Sequence, residues 1–370
     1  MISEKPQRSA LIGSSGPFSL INAAAFIKQL GHDYKGVHVF DYQTFQQSML
    51  DCEKWLCEIL GMSFEGSITG ITYNAEVIAG QTRLQRLISI PTFNHYWRTW
   101  GRNKLPFLKN SIVSDLILPY RVTLDEAFLA SLLPGATLHF VPDGFLMNHA
   151  RNIKLTRPWQ WRGLYNPFDG SSRHPIWCPS GLLHSLKDFS ETKLIEDRYF
   201  DEVYDTIWND QEFASWLDGF WPERDKHEYS LFPLQNYDDC GFLNTFFELD
   251  IYHRIIMHEL KRNPHKVLIV KPHPRDNNAK VHLLESMTPP ELKDRVIFMR
   301  LEKYASVPLE VFLNKTNITK LVGMCSTALL TGKNSPGMEI EVFSSPDLPE
   351  FIDNEIKRMA TAAGTDITLV

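Results

Sequence analysis

The sequence is short of positive charge. Its 38 Lys and Arg stand against 44 Asp and Glu, a formal net charge of −6. No basic block repeats along it, which excludes a surface built to track a nucleic-acid backbone. Long hydrophobic runs are missing as well: no apolar stretch approaches the ~20 residues of a membrane span, and the opening residues 1–8 have no apolar signal core. Cysteine is scarce and odd in number. Cys52, Cys57, Cys178, Cys240 and Cys325 have spacings that fit neither a zinc site nor a disulfide framework, so free thiols in a reducing compartment are expected. There is no internal repeat, no low-complexity tract, no G-x-G-x-x-G fingerprint and no Asp-x-Asp at a clear strand end. Hence neither a dinucleotide cofactor nor a bound metal is expected.

What is present is an ordinary globular composition. The chain has 370 residues, 43% hydrophobic and 22% charged, enough for two domains. Nine Trp and 23 Phe imply a large aromatic core first, and sugar-stacking surfaces second.

One stretch organises the rest. Val267, Leu268, Ile269 and Val270 run straight into Lys271-Pro272-His273-Pro274-Arg275. Four apolar, mostly β-branched residues in a row read as a strand buried on both faces. The two prolines then end the ladder and fix the turn. In open α/β sheets ligands bind outside the carboxyl ends of strands. His273 should therefore stand at such an edge between Lys271 and Arg275, three groups able to carry positive charge and suited to a phosphate. A capped strand with solvated basic residues is the plainer alternative.

Along the chain, strand and helix patterns alternate. Residues 9–12 read as a strand, 13–18 (with Gly13, Ser14 and Ser15) as a small-residue loop at a ligand edge, and 20–30 as a helix. Strands at 37–40, 67–72, 114–120 and 137–141 alternate with helices at 45–60, 74–90 and 123–133. The last of these helices has Thr123 and Glu126 as a capping box. The strand at 137–141 leads into Pro142-Asp143-Gly144, a turn by local sequence that also puts one carboxylate at a strand's carboxyl end. Residues 176–180 read as the last strand of the first half, and 186–217 as an acidic, aromatic helical stretch. The boundary falls near 221–228, where Pro and alternating charges cluster. His174, also followed by Pro, lacks a preceding buried strand and reads as a loop histidine.

The second half has strands at 229–232, 267–270, 295–299 and 318–323, with a final one at 338–343. Its helices fall at 244–262, 283–293 and 307–313, with a helix or turn from 328 and a last helix at 349–363. Such alternation implies right-handed βαβ units and parallel sheets. The expected class is α/β with two Rossmann-like domains facing a cleft, residues 1–224 and 225–370, the last helix being a candidate to cross back.

Four features of the second half fall at expected strand or helix ends: Gln235, His273, Glu310 and the Ser326-Thr327 pair. A Ser-Thr pair there offers hydroxyls and N–H groups to a phosphate, or caps a helix. A carboxylate such as Glu310 can accept from both ribose hydroxyls, or simply favour a helix N-terminus. Together they describe a nucleotide pocket. His273 and Ser326 can share one phosphate only if their strands are near neighbours.

In that order the motifs resemble those of the bacterial sialyltransferases of GT-B architecture, including the polysialyltransferases. The family has an acidic-acidic-Gly motif, a His-Pro motif and a Ser-Ser/Thr motif. Here these correspond to Pro142-Asp143-Gly144, His273-Pro274 and Ser326-Thr327. The long gap between the first two is of the polysialyltransferase type. Pro308-Leu309-Glu310 is similar to a ribose-binding Pro-x-Glu of related enzymes, and Phe232 to Gln235 to the Phe-x-x-Gln opening the donor domain. The resemblance covers residues 137–328.

The resemblance implies inverting transfer of sialic acid from CMP-sialic acid to a glycan acceptor, in bacterial surface polysaccharide or lipooligosaccharide synthesis, with no cofactor and no metal. It implies Asp143 as base and His273 as the group serving the leaving phosphate. Gln235, Lys271, Pro274, Arg275, Glu310, Ser326 and Thr327 would hold the donor, and the Gly13, Ser14 and Ser15 loop would face the acceptor. Pro142 stands where many members have their first acidic residue, which puts the base in question. Products of such enzymes imply a cytoplasmic protein, with peripheral attachment to the inner membrane face compatible and no nucleic-acid partner. Related alternatives are Kdo or polyol-phosphate transferases using CMP- or CDP-linked donors. A GT-B-shaped protein that binds a nucleotide or glycan without catalysis is an alternative of another class.

Overall fold

The computed structural model describes residues 8–41, 46–67, 112–119, 135–142, 175–183, 191–221 and 223–370, except 239 and 314, plus the isolated positions 108, 129, 130 and 133. Contacts divide the chain into two compact units. One comprises Met1–Phe45, Glu53–Pro179 and Leu186–Val203, the other Gln46–Cys52, Ser180–Ser185 and Tyr204–Val370.

The N-terminal unit is a parallel sheet. Its strands are β1 (Arg8–Ser14), β2 (Tyr34–Asp41), β3 (Ser63–Ser67), β4 (Val113–Pro119), β5 (Thr137–Val141), β6 (Ile176–Cys178) and β7 (Thr192–Leu194). Their order is β3-β2-β1-β4-β5-β6-β7, every pair parallel. β1 and β4 each have an apolar middle, Ala10–Ile12 and Leu116–Leu118, and are almost wholly buried, as central parallel strands must be. Helix α1 (Pro17–Leu30) starts on Pro17, whose missing N–H costs nothing in a first turn, and ends at Gly31 with φ 60°. Helix α2 (Gln47–Ile59) is followed by Gly61 at φ 68°.

The second unit repeats the plan. Helix α3 (Asp197–Trp208), divided between the units at Val203, and α4 (Gln211–Phe220) precede β8 (Tyr229–Pro233), α5 (Thr245–Arg262) and β9 (Val267–Lys271). Then come α6 (Asn278–Met287), β10 (Val296–Phe298), α7 (Glu310–Leu313), β11 (Ile318–Gly323), α8 (Thr327–Gly332), β12 (Glu339–Ser344), α9 (Glu350–Ala363) and β13 (Ile367–Leu369). The sheet order is β10-β9-β8-β11-β12-β13, again all parallel. In both sheets the first strand is flanked by the second and the fourth. The order therefore reverses beside β1 and beside β8, the switch points where open sheets bind ligands.

A buried charge cluster ties this second sheet to α5. Lys320 on β11 is fully buried, and its ammonium meets Glu259 at 2.8 Å and Glu341 at 2.6 Å. Ser230 donates to Glu259 at 2.5 Å, while Arg262 and Thr368 donate to Glu341. Burial works against the Lys320 charge, but these carboxylates outweigh it and raise its proton affinity.

Several expectations are corrected. A strand covers 63–67, and the expected strand at 67–72 lies, beyond Ser67, outside the described residues. Residues 176–178 are not the last strand of their sheet, because β7 follows at its edge, and the described part of the 186–217 stretch, from residue 191 on, resolves into β7, α3 and α4. The break between the helices is Asp210, whose carboxylate caps Phe213 N at 2.9 Å. The helix expected at 283–293 starts at Asn278, capped by Asn277, and stops at Met287. Pro289 and Pro290 cannot extend it, and a 3-10 turn covers Pro290–Arg295. The helix at 307–313 shortens to Glu310–Leu313 behind a 3-10 turn at Tyr304–Ser306. Residues 339–344 are not the final strand, since β13 adds an edge. Gly13 and Ser14 belong to β1 rather than to the loop after it. The expected helix at 74–90 lies outside the described residues, as do Asp143, Gly144, His174 and the basic 157–162 stretch.

Candidate donor site at the switch point of the C-terminal sheet

His273 stands two residues beyond β9 and Ser326 three beyond β11. Both strands adjoin β8, from whose end Gln235 follows. The neighbour relation required for a shared phosphate is thus met within one unit, at its switch point.

The turn after β9 is built by Asp276. One carboxylate oxygen accepts the His273 N–H at 3.0 Å, and the Asp276 N–H returns to the His273 carbonyl at 2.8 Å. Gln46 closes the turn from outside, its amide donating to the Arg275 and Asp276 carbonyls at 2.5 and 2.8 Å. The imidazole is oriented as well: the Arg275 N–H donates to its Nδ1 at 3.2 Å. Nδ1 is therefore the acceptor, and the neutral ring carries its proton on Nε2.

His273 is neutral. Burial, then Arg275, Lys271 and Lys280, push its proton affinity down to about 3. Of the three groups able to carry positive charge there, the ring is thus a neutral Nε2–H donor in a cationic setting. Such a ring gains its charge when an anion arrives to offset its neighbours.

Lys271 is buried and donates to the Ala305 carbonyl at 2.7 Å. Burial lowers it to about 8, while Glu310 and Cys52 act the other way. Glu310, 8% exposed at the start of α7, accepts the Thr331 hydroxyl at 3.0 Å, and burial raises its carboxyl. Ser326 precedes α8 as its N-cap residue without making a side-chain capping bond, and Ser326 and Thr327 are both half-buried. With only six residues in α8, a phosphate there would be held by hydroxyl and N–H donors rather than by a long helix dipole. Pro274 and Arg275 lie half-buried in the His273 turn. The Gln235 side chain reaches its own neighbour's carbonyl, Leu234, at 3.2 Å.

The expected acceptor loop is different. Ser14 and Ser15 are buried, and their hydroxyls bond Ser19, with Ser14 also bonding Gly16 and Glu53. Gly16 at φ 144° makes the turn. These side chains build the β1–α1 turn and present no hydroxyl at its surface. The expectation that Ser14 and Ser15 meet an acceptor is corrected to that extent. Gly13 lies inside β1, paired with Phe40 of β2.

Sequence reasoning missed a hub behind the site. Lys280 on α6 is buried and meets Asp276 at 2.7 Å, Asp238 at 2.6 Å and Glu248 at 2.8 Å. Glu248 in turn takes the Tyr237 N–H at 2.9 Å and the Tyr252 hydroxyl at 2.7 Å, and Gln235 N donates to that hydroxyl at 3.0 Å. The one local signal was the Asp276–Lys280 spacing of four, which reads as a surface pair.

Residues 222–339 match the model of the alpha-2,8-polysialyltransferase (POLYST) family, a span holding Gln235, His273, Glu310, Ser326 and the Lys280 hub. No curated protein sequence matches the chain. Among solved structures, UDP-GlcNAc 2-epimerase from Methanocaldococcus jannaschii is 13% identical, with a TM-score of 0.52 over 98% of this chain and 88% of that one. UDP-GlcNAc 2-epimerase from Neisseria meningitidis, bound to UDP-GlcNAc, gives 10%, 0.52, 96% and 90%. A sialyltransferase GT-B domain from Photobacterium damselae gives 10%, 0.49, 98% and 100%. The epimerase likenesses show the fold, α/β of GT-B type, each unit a Rossmann-like parallel sheet with helices. Among the described residues no helix is long and apolar enough to cross a membrane. Over residues 222–339 the chain is thus similar to the alpha-2,8-polysialyltransferase family.

Proposed function

We propose that the chain transfers sialic acid from CMP-sialic acid to a glycan acceptor with inversion at the anomeric carbon, in the assembly of a bacterial surface polysaccharide or lipooligosaccharide. The observation that supports this reading is His273, a half-buried neutral ring whose Nδ1 accepts the Arg275 N–H, in a cationic loop at the switch point within the family-matched stretch. An acceptor hydroxyl oxygen bonds to the anomeric carbon as the bond to the CMP phosphate oxygen breaks. The electron pair of that bond leaves on the phosphate. His273 donates its Nε2 hydrogen bond to this oxygen, and the growing negative charge raises its proton affinity as the bond opens. Ser326 and Thr327 hydroxyls hold the same phosphate. Glu310, steadied by Thr331, accepts from the ribose hydroxyls. Lys271 and Arg275 add positive potential. The acceptor's proton passes to Asp143.

A departing phosphate served by these cationic and hydroxyl groups needs no metal, so turnover is expected to survive EDTA. The test is CMP release from CMP-sialic acid, with CMP-Kdo and CDP-glycerol as rival donors. His273→Ala should lose on the order of 10²–10⁴ in rate. Full turnover by His273→Ala, or preference for either rival donor, contradicts the proposal.

A further inference from the structure

Lys280 has no place in the proposed chemistry, yet the most heavily bonded polar cluster near the site converges on it. Its side chain is 2% exposed. An ammonium has three N–H donors, and here each has a carboxylate partner: Asp276 at 2.7 Å, Asp238 at 2.6 Å and Glu248 at 2.8 Å. No donor is left for a phosphate. The three partners come from three places: the turn after β9, the loop after β8, and α5.

Each carboxylate passes the constraint on. The free oxygen of Asp276 holds the His273 N–H. The other oxygen of Glu248 holds Tyr237 N and the Tyr252 hydroxyl, which holds Gln235 N. The loops after β8 and β9 are thus both fixed from one buried cation. We propose that Lys280 is the positioning residue of the donor site: it sets the place of His273 through Asp276 and that of Gln235 through Glu248 and Tyr252. The inference rests on the reading of His273 given above.

Electrostatics supports the geometry. Burial alone would strip Lys280 of its proton, but Asp276 and its two companions raise its affinity instead. Burial lifts Asp276 to about 6 despite the pairing; it also lifts Glu248, whereas in Asp238 the Lys280 bond prevails over burial and lowers the carboxyl. The cation is also among the charges that keep His273 neutral, with Arg275 and Lys271 on its own loop and strand.

The experiment compares Lys280→Met, Asp276→Ala and His273→Ala with the wild type in two assays. One is CMP release from CMP-sialic acid, resolved into kcat and KM. The other is the NMR titration of the His273 ring in the free protein. Lys280→Met should lose about 10²-fold in kcat, the usual cost of an ångström-scale misplacement, and its His273 ring should take a proton at higher pH than in the wild type. Asp276→Ala leaves Lys280 two carboxylates, so it tests the same link if Lys280→Met does not fold, and it should show a comparable fall in kcat. If His273→Ala is inactive while the folded Lys280 or Asp276 variants keep wild-type kcat and an unmoved ring titration, the positioning role is overturned and His273 stands. Wild-type turnover by His273→Ala overturns the catalytic reading, and this inference with it.

Discussion

Nucleotide binding is expected to protonate His273. In the free chain its proton affinity lies near 3, because burial, Arg275, Lys271 and Lys280 all oppose a further positive charge. A phosphate oxygen bearing one negative charge at ~4 Å, in an effective dielectric of ~20, contributes ~4 kcal/mol towards the imidazolium. That corresponds to roughly three powers of ten in proton affinity, which brings His273 close to 6. Near pH 6 the wild type should then take up on the order of half a proton more than His273→Ala on binding CMP. Calorimetric titration in buffers of different ionisation enthalpy reads this difference, and the variant subtracts the proton changes of CMP itself. Equal uptake by the two proteins, or a free-chain ring that already titrates in the ordinary histidine range, would show that His273 does not gain its proton from the nucleotide. The same depression has a sign for stability. As pH falls through the ordinary imidazole range towards 3, the unfolded chain binds the proton and the fold does not, so His273 lowers ligand-free stability over that window.

Other outcomes follow from single contacts. Glu310→Gln keeps the shape but removes the charged acceptor; with ~1.5–3 kcal/mol for a hydrogen bond to a charged group, CMP should bind about 10–100-fold more weakly by calorimetry, while the urea midpoint stays close to wild type. Lys320→Met strands buried Glu259 and Glu341 and should cost about 3–5 kcal/mol of unfolding free energy in urea, the usual loss when one partner of a buried pair is removed. A Cβ at Gly181 would lie 2.7 Å from the Leu330 carbonyl oxygen and the Thr331 Cα. Gly181→Ala should therefore lower the thermal midpoint and, by shifting Thr331 beside Glu310, weaken CMP binding. Turnover of CMP-sialic acid should be unchanged by EDTA; loss restored by magnesium contradicts that expectation.

The fold was legible where strands are buried on both faces. Residues 229–233, 267–271 and 318–323 are short apolar runs ended by Pro or Gly, and they became adjacent central strands. Legibility failed at the edges. β7 and β13 have three residues each, none of them fully buried, so neither leaves an alternation or an apolar run to read. The site was legible in part for the same reason: His273, Glu310 and Ser326 follow elements whose ends are marked by Pro or Gly. Lys280 was not, because burial of a lysine is decided by which loops the strand order brings around it. Ser14 and Ser15 show the converse error. Hydroxyls are visible in sequence, but their use by Ser19 and Glu53 within the turn is not.

The most direct test of the central claim is calorimetric titration of the purified chain with CMP, with UMP and GMP as controls and Glu310→Ala as the variant. CMP should bind more tightly than either control, and Glu310→Ala should weaken it. Equal binding of all three nucleotides, or CMP binding that Glu310→Ala leaves unchanged, would contradict a CMP-sugar site at the switch point beside β8.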